Sequence, residues 1–151
     1  MEAESYSDQE VADFINQTFV PLEAHIKEHP AYFKRFQANW TPTVIIMDSE
    51  GVERYRIEGY LPKDWFRARL EMGLARVAFM HKKFADAKKI YEGVVEKFGT
   101  LAVAAEAIYY RDVCHYKATN DHTSLGTAAT ELAEKFPNDE WRLKSLPWAH
   151  E

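Results

Sequence analysis

The sequence predicts a mixed α+β fold that is mostly α: a short α/β segment at the front, then helical hairpins. Three observations carry this. An apolar, largely β-branched run, Val44-Ile45-Ile46-Met47, is followed by a turn and by an alternating run from Val52 to Tyr60. From Pro62 onward the apolar residues recur at helical spacing. Within that helical part Glu96-Lys97-Phe98-Gly99 returns 38 residues later as Glu134-Lys135-Phe136-Pro137.

The first helix is announced by Ser7-Asp8-Gln9-Glu10, in which Ser7 sits at the cap and Glu10 at the capping-box spacing. Val11, Phe14 and Ile15 give it one apolar face, and it ends near Asn16 to Thr18. Phe19-Val20-Pro21-Leu22 then opens an extended segment towards Ile26, read as a third strand. A short amphipathic turn, Tyr32 to Phe36, follows Pro30. Val44 to Met47 reads as a strand buried on both faces, because it does not alternate with polar residues. Asp48-Ser49-Glu50-Gly51 is a tight turn, with Gly51 suited to a positive φ. In the next strand Val52, Arg54, Arg56 and Glu58 share one side, and Tyr55, Ile57 and Gly59 the other.

Pro62 suits a first helical turn, and the long helix after it carries Phe66, Leu70, Leu74 and Val77. The next runs from Phe84 through Ala87, Tyr91, Val94, Val95 and Phe98, with Gly99 as its stop. The third covers Ala105 to Tyr116, and Asn120-Asp121 breaks it. A fourth follows from Leu125 to Phe136, Pro137 ends it, and Asn138-Asp139 caps a last short helix with Trp141 and Leu146. The repeat places Ala87, Tyr91 and Val94 on Leu125, Ala129 and Leu132. Leu74-Ala75, Val77 and Met80 fall on Tyr110-Arg111, Val113 and Tyr116. Two stacked helical hairpins account for this, since neither buries its apolar face alone.

Of the 151 residues 46% are hydrophobic and 14% aromatic, which excludes a disordered chain. The apolar runs are too short to cross a bilayer, so no membrane is expected. The start, Met1-Glu2-Ala3-Glu4, has no secretory character, and a cytoplasmic location is expected. The net charge of −5 hides an asymmetry. Residues 1–30 hold seven acidic side chains against Lys27, whereas residues 63–98 hold nine Lys/Arg against five Asp/Glu. One mildly basic hairpin in an acidic chain does not predict nucleic-acid binding. A single cysteine, Cys114, cannot form an internal disulfide or a cycling dithiol and reads as a buried small hydrophobe. His25 and His29 have helical metal-ligand spacing but no third ligand nearby. They, His115 and His122 read as surface histidines, and no metal, cofactor or catalytic residue is expected. Trp40, Tyr55, Tyr60, Trp65 and Phe66 read as core where the two parts of the chain meet.

Two family resemblances rest on these residues. Residues 65–137 resemble tetratricopeptide (TPR) repeats, with small residues at close helix approaches (Ala75, Ala87), an aromatic between helices (Tyr91) and a closing Gly or Pro. Leu125 and Arg111 depart from that pattern where small residues are usual. Residues 6–70 resemble the second half of a thioredoxin-like domain through Phe19-Val20-Pro21, Trp40-Thr41-Pro42-Thr43, Asp48 to Gly51, and Arg56 to Gly59-Tyr60. The fold expected is thus an incomplete thioredoxin-like α/β segment over residues 1–62, joined to TPR-like helical hairpins and a short C-terminal helix over 63–151.

The thioredoxin resemblance implies a cis peptide before Pro42 and makes Trp40, Thr41 and Pro42 candidate protein-binding residues. It also implies an absence: the family's central strand and CxxC precede the helix that here begins at Ser7. A non-catalytic interaction or scaffold protein is expected, redox-inactive and partnered with itself or another polypeptide. The opposing reading is a fragment or short form of a thiol-disulfide oxidoreductase whose CxxC lies upstream of Met1. The missing strand leaves a slot between residues 19–26 and 43–47, with neighbours wanted about 4.8 Å away on either side. Open edges invite pairing, so a homodimer is expected, with Ile45 inside the shared core.

Overall fold

The computed structural model describes residues 7–149, so the acidic start Met1-Glu2-Ala3-Glu4 lies outside the described residues. Helix α1 spans Gln9–Thr18 and α2 Pro30–Arg35. Strands β1 (Thr43–Met47) and β2 (Glu53–Glu58) form an antiparallel hairpin. Five helices follow: α3 (Lys63–Met80), α4 (Phe84–Phe98), α5 (Val103–Thr119), α6 (Thr123–Lys135) and α7 (Glu140–Lys144). A single 3-10 turn, Leu146–Trp148, comes last. The molecule is mixed and mostly α, as its sequence pattern requires.

The cap of α1 is Asp8 rather than Ser7. Its carboxylate accepts from the Val11 N–H at 3.1 Å, satisfying one of the donors a helix start leaves open. Val11 then packs on Phe66 and Leu70 of α3, with Ile46 and Ile57 of the hairpin completing the cluster. Two polar ties reinforce the contact: Lys63 Nζ lies 3.0 Å from Asp8 Oδ2, and the Arg67 guanidinium sits 3.7 Å over the Phe14 ring.

The third strand is a correction. Residues 19–29 form no strand: Phe19 packs edge-on to Phe14 against the cluster under α3, while the apolar side chains after it stand in solvent, Val20 99% exposed and Leu22 76%. A strand exists only where a neighbour takes its backbone groups, and Pro21 has no N–H to offer. His25 and His29 flank a turn closed by the His29 N–H on the His25 carbonyl at 2.7 Å, not a strand end.

In the hairpin Val44 faces Ile57, Ile45 faces Arg56 and Ile46 faces Tyr55. A slip between Ile46 and Met47 then pairs Met47 with Glu53. The strand is not buried on both faces. Ile46 and Val44 enter the cluster under α3, whereas Ile45 and Met47 point the other way and belong to none of the apolar clusters. Ile45 therefore does not sit in the core under α3. The Gly59 N–H donates to the Pro42 carbonyl at 2.8 Å, which sets the alternation of the ladder. Pro42–Gly59, Val44–Ile57 and Ile46–Tyr55 are the hydrogen-bonded pairs, so the backbone groups of Thr43 and Ile45 face the outer side of β1. Among the described residues no strand lies there.

Gly73 explains how closely α3 lies on this hairpin. A Cβ there would stand 2.1 Å from Ile46 Cδ1 and 3.2 Å from Tyr55 Cβ. Further along, α3 joins a second cluster. Ala68, Met72 and Ala75 pack with Ala87, Tyr91 and Val94 of α4 and with Val103, Ala107 and Cys114 of α5. A third cluster joins Ala105 and Ile108 of α5 to Ala128 and Leu132 of α6. In burial the repeat holds in part: Tyr91 and Val94 and their counterparts Ala129 and Leu132 are buried, whereas Ala87 is buried and its counterpart Leu125 is half-buried. The departure at Arg111 has a local answer: its guanidinium meets Asp112 at 2.8 Å and Glu131 of α6 at 2.7 Å. Burial opposes the Arg111 charge, but these two carboxylates outweigh it and hold its pKa up. Gly99 is the stop of α4, as its sequence indicates, and it ends the helix with an ordinary helical φ of −62°. The left-handed cap occurs instead at Asn120, φ 62°.

Candidate functional site

The three candidate residues lie together in the turn that feeds β1. The Thr41–Pro42 peptide is cis. The Trp40 carbonyl accepts from Thr43 Oγ1 at 2.6 Å, and the Pro42 carbonyl from Gly59, which holds the turn against the end of β2. Gly59 has φ 87°, a conformation that side-chain-bearing residues avoid. Arg56 braces the same region from β2: its guanidinium meets the Phe36 carbonyl and pairs with Glu53. Trp40 is 68% exposed and Thr41 and Tyr60 are exposed too. Trp40 and Tyr60 are therefore not core, whereas Phe66 is, at 2% exposure. The turn presents the exposed Trp40 side chain just ahead of β1.

Elsewhere the chemistry is quiet. Cys114 is fully buried among α3, α4 and α5, and that burial pushes its thiol up to about 12, the opposite of an activated nucleophile. His25 pairs with exposed Glu23 at 3.1 Å, and His29 stacks near Tyr32. His115 is half-buried between Lys88, 3.2 Å away, and Asp121, 3.6 Å away. Among the described residues no three His, Cys, Asp or Glu side chains are grouped to hold a metal.

Sequence reasoning missed a second constellation, because its members lie far apart in the chain. Tyr55 of β2, Arg69 and Arg76 of α3, Glu106, Tyr109 and Tyr110 of α5, and Trp141 and Lys144 of α7 share one face. The Arg76 guanidinium lies 5.6 Å from the Phe79 ring centroid and 5.8 Å from that of Tyr110. Tyr109 packs on both Trp141 and Trp148, with centroids 5.1 and 4.7 Å apart, and Lys144 Nζ sits 3.8 Å over Trp141. The Arg69 guanidinium lies 5.3 Å from the Tyr55 ring. Burial pushes the Tyr55 phenol up to about 12 despite the pull of Arg69. Burial likewise raises the Glu106 carboxyl, against Arg69, Arg76 and Lys144, which favour its charge. The signal available in the sequence was the helical spacing of Arg69 and Arg76, seven residues apart on α3.

Residues 1–73 match the family model of a thioredoxin-like domain. The match covers α1, α2, the β-hairpin and the front of α3, and ends within the first helical hairpin. Comparison with curated proteins and with solved structures returns no match. Among the described residues no helix is long and apolar enough to cross a membrane.

Proposed function

We propose that this chain is a non-catalytic interaction protein: a redox-inactive thioredoxin-like segment over residues 1–62, joined to TPR-like hairpins over 63–151, that works by holding polypeptides in the cytoplasm. The observation that carries this reading is the coincidence of the exposed Trp40-Thr41-Pro42 turn with the outer edge of β1, where Thr43 and Ile45 present backbone groups to no described strand. Strand edges of this kind recruit another chain. The first partner is a second copy. Its extended segment at Val20 and Leu22 carries the exposed apolar side chains that this edge lacks, and two copies exchanging the same segment make a closed two-fold pair.

Light scattering behind a sizing column tests the assembly. A species of twice the 17.6 kDa chain mass is expected at tens of micromolar, and a persistent 17.6 kDa species overturns the dimer. Because Ile45 points away from the core under α3, Ile45→Lys is expected to give a folded monomer. Ile46→Lys, aimed at Gly73, is expected to unfold the chain. The family match favours a second reading, a short form of a thiol-disulfide oxidoreductase whose dithiol is encoded upstream of Met1. An in-frame strand and CxxC in the upstream DNA would establish it, and a stop codon there would remove it.

A further inference from the structure

Among the described residues the hairpin has two unpaired edges, and its side chains distinguish them. The outer side of β2 is the row Arg54, Arg56 and Glu58, charges of the kind that keep other strands away. The outer side of β1 is the uncharged row Thr43, Ile45 and Met47, and the N–H groups of Thr43 and Ile45 meet no acceptor among the described residues. The segment after α1 has the complementary character. Phe19 leaves that helix in strand geometry, with φ −120° and ψ 166°. Pro21 fixes its own φ in the extended range and biases Val20 before it towards the same region, so little ordering is needed to make a strand. The backbone of residues 20–24 forms no hydrogen bond among the described residues.

We infer, resting on the homodimer reading, that residues 20–24 of each copy lie antiparallel on the β1 edge of the other and that Pro21 and Glu23 stop the assembly at two. Backbone groups alternate sides along a strand, so residues 20, 22 and 24 serve one edge and residues 19, 21 and 23 the other. Pro21 has no donor, which leaves the edge of Val20, Leu22 and Ala24 for pairing. In an antiparallel pair, residues directly opposite share a face of the sheet. Val20 and Leu22, both exposed in the single chain, then come beside Ile45 and Met47, which α3 does not cover. A parallel pair would turn Val20 and Leu22 towards the α3 side and leave Ile45 and Met47 bare. After pairing, the new outer edge is that of Pro21 and Glu23. A missing donor and a charged residue there turn a further strand away. Each sheet gains one strand and is closed, and the exchange is a two-fold pair rather than a growing fibre.

The test combines amide hydrogen exchange of the whole chain, read residue by residue by NMR, with light scattering behind a sizing column. The Val20, Leu22 and Ile45 amides are expected to exchange at least tenfold more slowly than the Glu23 amide, which faces outward. Two proline variants then probe the two edges. Residues 22 and 23 lie outside the apolar clusters, so neither substitution threatens the fold. Leu22→Pro removes a donor from the pairing edge and is expected to give a 17.6 kDa monomer, whereas Glu23→Pro is expected to remain a dimer. Replacing Pro21→Val and Glu23→Val together restores the outer edge and is expected to give species larger than the dimer. A dimer that survives Leu22→Pro, or that protects Glu23 as well as Leu22, overturns this pairing and leaves the dimer to another surface. Loss of the dimer in both proline variants overturns the choice of edge. A double valine variant that stays a dimer overturns the stop. A 17.6 kDa species for the unaltered chain overturns the pairing and the homodimer together.

Discussion

Nε2 of His81, the residue that ends α3, lies 3.0 Å from Oδ2 of Asp48 in the hairpin turn. Asp48 is the centre of that turn. It accepts from the backbone N–H groups of Val52 at 3.0 Å and Glu50 at 2.9 Å, and from Arg54 Nε at 2.9 Å. One carboxylate therefore shapes the turn and fastens it to the helix end. The Val52 N–H, then His81 and Arg54, hold its pKa far below the ordinary 3.8.

A pH dependence follows from that depression. The unfolded chain takes up the Asp48 proton near pH 3.8, while the folded chain resists until a lower pH. The contribution of Asp48 is thus complete above about pH 3.8 and is lost as the pH falls through and below it. Asp48→Asn is expected to lower the melting temperature by several degrees at pH 7, and the gap to the unaltered chain should shrink in acid. A gap that does not change between pH 7 and pH 3 would contradict this.

Glu106 is expected to behave in the opposite sense. Burial raises its pKa above the ordinary 4.5, so the folded chain binds the proton more tightly than the unfolded one. Its contribution is most favourable below pH 4.5 and is lost as the pH rises through the raised value. Glu106→Gln is expected to raise the melting temperature at pH 7 and to change it little near pH 4. Destabilisation at pH 7 would show that the carboxylate is paired in solution.

Gly73 and Ile46 form a testable pair. Gly73→Ala drives a methyl into the Ile46 side chain and against Tyr55, and overpacking of this kind costs about 1–3 kcal/mol. Ile46→Val removes the Cδ1 atom that lies nearest. The double variant is expected to recover part of the loss in chemical denaturation, so that the two costs are not additive. Strict additivity would place the strain elsewhere.

Ala87 is fully buried between α3 and α4, with Ala75 and Ala68 in the same cluster. Ala87→Leu is expected to cost about 1–3 kcal/mol for the same reason. An unchanged melting temperature would mean that the first helical hairpin is looser than its small residues imply.

Cys114 should be inert. Its thiol is enclosed and held near 12, so labelling by a thiol reagent at pH 8 is expected to be slow in the native chain and fast after denaturation. Rapid native labelling, or insulin reduction at a thioredoxin-like rate, would contradict both this and the non-catalytic reading.

What could be read in advance follows physical range. The helices from Lys63 onward and the hairpin were legible because their signals are periodic and local: Tyr91 and Val94 lie three apart, and Ile57 and Tyr55 alternate with Arg56. The cis peptide before Pro42 was available from the thioredoxin resemblance. The strand at Phe19 to Ile26 was misread because strand formation depends on a neighbour, and no single segment encodes its neighbour. Arg69 and Glu106 were illegible for a related reason. Their relation is created when α5 packs on α3, and neither residue is unusual alone.

Helix α3 has one further consequence. Its front half, Phe66 and Leu70, completes the apolar cluster under the hairpin, and Ala68, Met72 and Ala75 complete the cluster under α4 and α5. Both clusters therefore lose a wall if the helix melts anywhere along its length. The chain is expected to denature in one cooperative transition, and cutting it between Leu61 and Lys63 leaves the front half without the surface against which it folds. A thioredoxin-like piece excised at that point is expected to be an open coil, whereas a piece retained through Met80 keeps its scaffold.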